Sequence, residues 1–265
     1  MMSFFGSQCL RDAVVERVRE HQRLDQIAQS IYWDGSKGCA IGCVLHSGEH
    51  MAFEQQLGLP VFLAYLDEHI FEKLPLEEAK GWPLRFIEAV PVGVDLELVF
   101  PRFMHWLLSD PDGVRQYADA RTVPIMDTIV AMYARRIEGI PFDVAAAGAA
   151  WDAAGAAART AARTDAWAAA GAAVDAAWAA AGAAVDAAWA AAGAAGGDAA
   201  GAAWAAAQTA ARAAAGAAGD AAGAAAIRRQ ADYLIALLQG YESQPLADLP
   251  PCTEQMQALH FAVKG

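Results

Sequence analysis

The sequence predicts an all-α protein, and three observations support this class. Runs that alternate apolar and polar residues with period two are scarce, which argues against strands. Proline and glycine divide residues 1–140 into segments of helical length. Residues 144–226 contain 51 alanines in 83 positions, and alanine has the highest helix propensity of all residues. We therefore predict a multi-helix domain (1–140), an alanine-rich helical region (141–226), and an amphipathic helix with a tail (227–265).

The first predicted helix carries an apolar stripe that runs from Leu10 to Ile31 and stops near Asp34-Gly35. On the opposite side, Arg17, Arg19 and Arg23 are expected to face solvent. A second helix is predicted over about 38–57. It ends at Gly58, and Pro60 opens the next helix. Further helices are predicted near 60–73, 83–90, 96–108 and 123–138.

The alanine-rich region contains an eleven-residue repeat. Trp167, Trp178 and Trp189 recur in step with Gly171, Gly182 and Gly193 and with Val174 and Val185. Eleven residues make about three helical turns, so the repeat forms one stripe along a helix. Glycine and alanine allow helix axes to approach closer than the usual ~8–10 Å. We therefore predict a tightly packed bundle, with turns at Gly196-Gly197-Asp198 and Gly219-Asp220.

A conventional amphipathic helix is predicted over 221–239. Its buried face carries Ile227, Ala231, Leu234 and Leu238, and Gly240 terminates it.

Charge and composition exclude several classes of protein. The net charge of −12 argues against binding to nucleic acid. The longest uncharged stretch of the alanine-rich region is 199–211, shorter than the ~20 residues of a membrane-spanning helix. The first residues lack the pattern of a signal peptide, and the four cysteines do not suggest a disulfide scaffold. We therefore expect a soluble, cytoplasmic protein.

The strongest candidate for chemistry is a Cys–His motif, in which Cys39, Cys43, His46 and His50 are spaced four, three and four, and Glu54 follows four residues later. On one helix these side chains share a face but span ~16 Å, so one zinc or iron ion would take only a pair. A helix break at Ser47-Gly48 would instead gather them around one tetrahedral site. Burial in a core is a third interpretation. A fourth takes Cys43 as a nucleophile with His46 as its base.

Two further groups have a functional and a structural interpretation. The carboxylates between 67 and 78 predict a solvated helix face, and the alternative is metal ligation or recognition of a basic partner; they are Asp67, Glu68, Glu72, Glu77 and Glu78. Arg159 and Arg163 either pair with aspartates of the alanine-rich region or form a small anion-binding spot.

The glycines beside the three repeat tryptophans leave shallow notches where a small flat ligand could stack.

Residues 36–108 resemble a set of uncharacterised bacterial and phage proteins that carry a GCxxGCxLHS motif and an alanine-rich tail with spaced aromatic residues. The similarity rests on KGCAIGCVLHS, the E-x-x-L-G-L-P segment at 54–60, LDEHIFEKLP, Trp82-Pro83, AVPVGVDL and FMHWLL. The resemblance implies no activity. A Cys–His helix ahead of alanine-rich helices is also similar to immunity proteins of bacterial toxin systems.

The sequence contains no Walker A loop, nucleophile elbow or dinucleotide-binding glycine motif. It leaves two functions open. The leading expectation is a non-enzymatic helical protein that binds or sequesters a protein partner, in toxin–immunity or phage–host conflict, or self-associates through its alanine-rich helices. The alternative is a zinc or iron protein, or a metalloenzyme, that uses the Cys39–Glu54 set.

Overall fold

The computed structural model of this 265-residue chain describes residues 1–118, 120, 123–141 and 220–242. These residues are helical, and backbone pairing among them outside helices consists of isolated bridges such as Met2–Asp95. The all-α prediction is therefore confirmed for this part of the chain. No helix within it is long and apolar enough to cross a membrane.

Several predictions fall on residues that the structure does not describe. They are the tryptophan repeat with Trp167, Trp178 and Trp189, the basic pair Arg159 and Arg163, and the turn at 196–198. The predicted domain boundaries at 140 and 226 also adjoin this region. All of them stay predictions.

The described residues divide into two compact units. Residues 1–97 and 231–242 belong to the first unit, and residues 98–141 and 220–230 belong to the second. Residues 1–97 begin with a 3-10 turn at Ser3–Gly6. Their α-helices are α1 Gln8–Arg23, α2 Ala40–Leu45, α3 Ala52–Leu57, α4 Val61–Lys73, α5 Leu76–Ala79 and α6 Trp82–Ala89.

Helix α1 begins where the hydroxyl of Ser7 accepts a hydrogen bond from the amide of Leu10, which is an N-cap. Its apolar stripe is buried as predicted through Val18. The prediction that α1 continues to Ile31 is wrong, because the helix ends at Arg23. Asp25 and Ser30 have positive φ angles of 53° and 65° and take the chain out of the helix.

The helix predicted over 38–57 is two short helices. His46 adopts the left-handed conformation, with φ 53° and ψ 35°, and this ends α2 after six residues. The predicted end at Gly58 is confirmed, since this glycine terminates α3 with φ 62°. Helix α2 packs against α1, α4 and α6, and every one of its six residues is buried. The turn after α2 is therefore attached to a rigid core element.

The remaining predicted helices agree with the structure within a few residues. Pro60 immediately precedes α4, and Pro83 lies in the first turn of α6. The described part of the second unit contains α7 Val99–Ser109, a 3-10 turn at Val114–Tyr117, α8 Val123–Ile137 and the start of α9 Asp220–Gln239.

Helices α7 and α8 pack together, with the ring of Phe100 edge-on to that of Tyr133 at a centroid distance of 5.9 Å. In α9 the predicted face is buried at Ile227, Leu234 and Leu238, and the helix ends before Gly240 as expected. The guanidinium of Arg229 in α9 contacts the carboxylate of Asp110.

Candidate functional site

An exposed loop at residues 30–37 lies flat on α2 because two glycines leave room for it. A Cβ atom at Gly42 would overlap the carbonyl oxygen of Tyr32, and a Cβ at Gly38 would lie 2.5 Å from the same oxygen. The amide of Cys39 donates hydrogen bonds to the carbonyls of Ile31 (2.5 Å) and Tyr32 (3.2 Å). The glycine spacing in GCAIGC therefore fixes this loop against the helix.

The loop places Trp33 over His46. The two rings are stacked, with centroids 4.4 Å apart and an interplanar angle of 10°. His46 also meets His21 of α1, with ring centroids 5.0 Å apart, and Trp33 itself lies edge-on to His21 at 5.4 Å. The left-handed backbone at His46 is thus held by contacts from two different segments of the chain.

His21 and His46 share a hydrogen bond between their Nε2 atoms, which are 2.7 Å apart. His21 Nδ1 donates to Oε1 of Gln26 at 2.7 Å, so a neutral His21 accepts at Nε2 from the N–H of His46. Burial, followed by the nearby Arg17 and His21, lowers the pKa of His46 from 6.5 to about 4. The ring of His46 is therefore neutral at pH 7.

Arg17 lies beneath this pair and is only 4% exposed, so the prediction that it faces solvent is wrong. Its Nη1 donates to the carbonyl of Val44 at 2.7 Å, near the C-terminal end of α2, where helix carbonyls carry partial negative charge. Its Nε has no hydrogen-bond partner, and among the described residues Arg17 forms no ion pair. Burial lowers the pKa of Arg17, yet guanidinium stays charged in proteins.

A second cluster is centred on Glu68 of α4. His50 Nε2 donates to Oε2 of Glu68 at 2.6 Å, and the imidazole is stacked on Tyr65 with centroids 4.3 Å apart. The ring of Tyr32 lies edge-on to His50 at 6.2 Å. The negative charge of Glu68, followed by burial and by hydrogen bonding to the same carboxylate, raises the pKa of the Tyr32 hydroxyl.

The two cysteines of the motif face the core. Cys39 and Cys43 are free thiols with almost no exposed surface, and the thiol of Cys43 donates to the carbonyl of Gly38 at 3.3 Å. Burial raises the pKa of each thiol to about 12. A nucleophile or a zinc ligand must be a thiolate, so this environment does not support the catalytic interpretation of Cys43.

The structure does not bring the five predicted metal ligands together. The thiols point into the core, His46 contacts His21, and His50 contacts Glu68. Glu54 lies on α3 and is partly exposed. Among the described residues no group of three or more His, Cys, Asp or Glu side chains is arranged to hold a metal ion.

The carboxylates of α4 are not the solvated face that the sequence predicts. Asp67 is completely buried, and its Oδ1 accepts from Nε1 of Trp82 at 2.7 Å. Glu68 is buried as well, whereas Glu77 and Glu78 are exposed as expected. Burial raises the pKa of Asp67 well above its ordinary value, so its neutral form persists to higher pH than that of an exposed aspartate.

Sequence reasoning missed most residues of this site: Arg17, His21, Tyr32, Trp33 and Tyr65. One signal was present. Gly38 and Gly42 are four residues apart, which indicates close approach of another backbone, and an aromatic pair stands a few residues before them. The partners of the two histidines come from α1 and α4, which local spacing does not reveal.

The chain matches no protein-family model, no curated protein and no solved structure.

Proposed function

We propose that this chain is a non-enzymatic helical protein that binds and sequesters a protein partner. The observation that carries the proposal is an exposed apolar surface around the ordered polar cluster of His50 and Glu68. We call it the Tyr32 surface; it consists of Ile31, Tyr32 and Met51, whose exposed fractions are 41%, 56% and 38%. Large apolar side chains exposed side by side are typical of binding sites, and tyrosine is enriched at interface centres.

The partner that fits this surface presents an apolar or aromatic anchor bordered by lysine or arginine. The exposed Asp34 and Glu49 stand beside the Tyr32 surface in sequence, and the negative charges of Glu68 and Glu72 act on the Tyr32 hydroxyl. Residues 1–97 carry 15 acidic and 8 basic side chains, which gives them a net charge of −7. An acidic rim of this kind favours basic partners and speeds their association at low salt.

Rigidity of the site supports binding rather than turnover. The loop is fixed on α2, His50 is fixed between Tyr65 and Glu68, and both cysteines are protonated. A preformed surface loses little conformational entropy when it binds, and this favours a tight complex. The resemblance to immunity proteins supports a role in toxin–immunity or phage–host conflict. The predicted tryptophan stripe, which would serve as a second contact surface or for self-association, remains part of the proposal.

Site-specific photo-crosslinking in the cells that produce the protein tests the proposal. A photoreactive residue replaces Ile31 in one sample, and Leu76, which is also exposed and aliphatic, in the control. We expect one partner protein to crosslink at position 31 and not at position 76. With the purified partner, Ile31→Asp should weaken binding at least about tenfold, whereas Leu76→Asp should leave it unchanged. Equal crosslinking at both positions, or an unchanged affinity of Ile31→Asp, would contradict the proposal.

Native mass spectrometry separates this function from the metalloprotein alternative. The expected mass of protein purified without chelator is that of the bare chain. One zinc or iron per chain, lost in His50→Ala, would reject sequestration as the primary role and favour a metal centre at the motif.

A further inference from the structure

We infer that the partner supplies an arginine to the Tyr32 surface, and that its guanidinium group stacks on the exposed ring of Tyr32 and pairs with the carboxylate of Glu72. The inference rests on the proposed function, because it names the side chain by which the partner is recognised. Three features of the described residues support it. They are a tyrosine ring that is fixed but exposed, carboxylates beside the ring without a basic partner, and an apolar border.

The ring of Tyr32 is held at three points, although the exposed fraction of the residue is 56%. Its carbonyl accepts a hydrogen bond from the amide of Cys39 at 3.2 Å. Its Cβ and Cγ atoms lie against Gly48, where an added Cβ would be 3.1 and 3.3 Å from them. Its hydroxyl is hydrogen-bonded to the carboxylate of Glu68. The exposed ring is therefore preformed, and it loses little conformational entropy when a ligand binds to it.

The loop that carries this ring follows the face of α4 on which Glu68 and Glu72 lie. These two glutamates are four residues apart, so they are neighbours on the helix surface. The amide of Ser30 donates to both carboxylate oxygens of Glu72, at 3.0 and 3.1 Å. The negative charges of both glutamates act on the Tyr32 hydroxyl. A cation on the ring of Tyr32 would therefore be attracted by two carboxylates.

Neither carboxylate forms an ion pair with a lysine or arginine among the described residues. Glu68 accepts a hydrogen bond from His50, and Lys73 acts on Glu72 without forming an ion pair with it. Glu72 is only partly exposed, so its carboxylate has lost part of its hydration. Charges attract each other more strongly at such a site than in open solvent. The charge complementary to this part of the surface is therefore a cation from outside the described chain.

Arginine fits this arrangement better than lysine for a geometric reason. A guanidinium group is planar and weakly hydrated, so it stacks on an aromatic ring while its N–H groups donate to carboxylates at its edge. An ammonium group is compact and strongly hydrated, and it gains less from the ring. The exposed side chains of Ile31 and Met51 provide apolar surface for the aliphatic part of the arginine.

The test titrates the full-length protein with three blocked tripeptides, acetyl-Gly-X-Gly-amide, in which X is arginine, lysine or citrulline. Citrulline has the planar shape of arginine but no charge. NMR at low salt follows the ring signals of Tyr32 and the methyl signal of Met51. We expect the arginine peptide to bind with a dissociation constant on the order of 10 mM, about threefold below that of the lysine peptide, and the citrulline peptide not to saturate. Equal constants for arginine and lysine, or unchanged Tyr32 signals, would overturn the inference.

Two substitutions separate the ring from the charge. Glu72→Gln should weaken binding of both charged peptides about threefold, because it removes a carboxylate and keeps the ring. Tyr32→Leu, read at the Met51 methyl group, should abolish the preference for arginine over lysine. The matched control Glu77→Gln removes an exposed carboxylate of α5 and should change neither constant. Unchanged binding in Glu72→Gln, or a preference that persists in Tyr32→Leu, would contradict the inference. The wild-type comparison needs no substitution and decides the matter if Tyr32→Leu does not fold.

The peptide titration and the crosslinking experiment have separate outcomes. Preferential binding of the arginine peptide, without a partner that crosslinks at position 31, would reject the proposed function and support the arginine site. A crosslinked partner together with equal binding of the arginine and lysine peptides would reject the arginine site alone.

Discussion

The indole N–H of Trp82 donates a 2.7 Å hydrogen bond to the carboxyl group of Asp67, and Asp67 is completely buried. The other oxygen of this group, Oδ2, has no hydrogen-bond partner. A buried carboxyl group that keeps its proton links folding to pH with the opposite sign to an ordinary salt-bridged aspartate.

Replacement of Asp67 by asparagine should change the pH dependence of stability. The pKa of Asp67 is raised in the folded protein, so its contribution to stability is complete below 3.8 and is lost as pH rises towards the folded pKa. The asparagine side chain has no proton to lose. Between 3.8 and the folded pKa of Asp67, the free energy of unfolding of the wild type should therefore fall relative to that of Asp67→Asn by up to about 1.4 kcal/mol per pH unit. Urea unfolding at several pH values measures it, with the exposed Asp12→Asn as control; parallel curves would contradict the expectation.

Removal of the indole donor should be costly at all pH values. Trp82→Phe keeps a ring in the core but leaves Oδ1 of Asp67 buried without a partner. We expect the free energy of unfolding to fall by about 1–3 kcal/mol. Urea unfolding of the double variant with Asp67→Leu provides the check. If the loss comes from the orphaned carboxyl group, the second substitution should recover part of it.

The close approach of Tyr32 to α2 predicts that Gly42 tolerates no side chain. In Gly42→Ala the new Cβ would overlap the Tyr32 carbonyl, so the loop must move and the free energy of unfolding should fall by about 3 kcal/mol. Gly81→Ala is the control, because a Cβ there meets nothing closer than 3.6 Å, and it should cost less than about 1 kcal/mol. Equal losses in thermal or urea unfolding would show that Gly42 is not a contact residue.

The buried thiols predict an unreactive motif. With a pKa of about 12 instead of 9.0, the thiolate fraction of Cys39 and Cys43 at neutral pH is about a thousandfold below that of a free thiol. Iodoacetamide should therefore label these two cysteines only after denaturation, as read by peptide mass spectrometry. In the same samples a chelator should leave the Tm unchanged. Rapid native labelling, or a Tm lowered by chelator, would contradict the buried-thiol interpretation.

The carboxylate of Glu68 should control the ionisation of Tyr32. Because its negative charge is the largest cause of the raised pKa of Tyr32, Glu68→Gln should lower that pKa towards 10.0. The ¹³Cζ shift of Tyr32 followed against pH gives the value directly. Glu54→Gln removes a carboxylate that does not contribute to this pKa and should leave it in place. A pKa that stays high in Glu68→Gln would place the cause elsewhere.

The sequence predicts α4, α6, α7, α8 and α9 well because their boundaries are local. Pro60, Pro83 and Gly240 act through the backbone of their own segment, and the apolar spacing of each helix is regular. The sequence offers a break at Ser47-Gly48 only as one alternative, and the structure places it one residue earlier, at His46. Histidine is not a usual helix terminator, and its left-handed backbone depends on ring contacts from His21 and Trp33.

The sequence predicts only part of the candidate site, because most contacts of the site join residues that are distant in the sequence. The Cys–His motif is a real feature of the sequence, but its spacing fits a metal helix and a buried helix equally well. The contacts around the motif come from distant positions, among them Arg17 of α1 and Glu68 of α4, both of which are buried against expectation. Whether a charged residue is buried depends on how the helices assemble into the core. Helical periodicity alone predicts that such a residue is exposed to solvent.

Backbone hydrogen bonds join the two sides of the loop over α2, both at its base and near its tip. The amide of Ala28 donates to Gly38 O, and the amide of Asp34 donates to Lys37 O, so residues 34–37 form a turn whose outer side meets no other part of the described chain at Gly35. A short epitope or a fluorophore-bearing peptide inserted after Gly35 would extend into solvent without disturbing the ring of Trp33, which is stacked on His46. It would stand a few residues from Tyr32, and so the protein offers a ready attachment point for a reporter of complex formation.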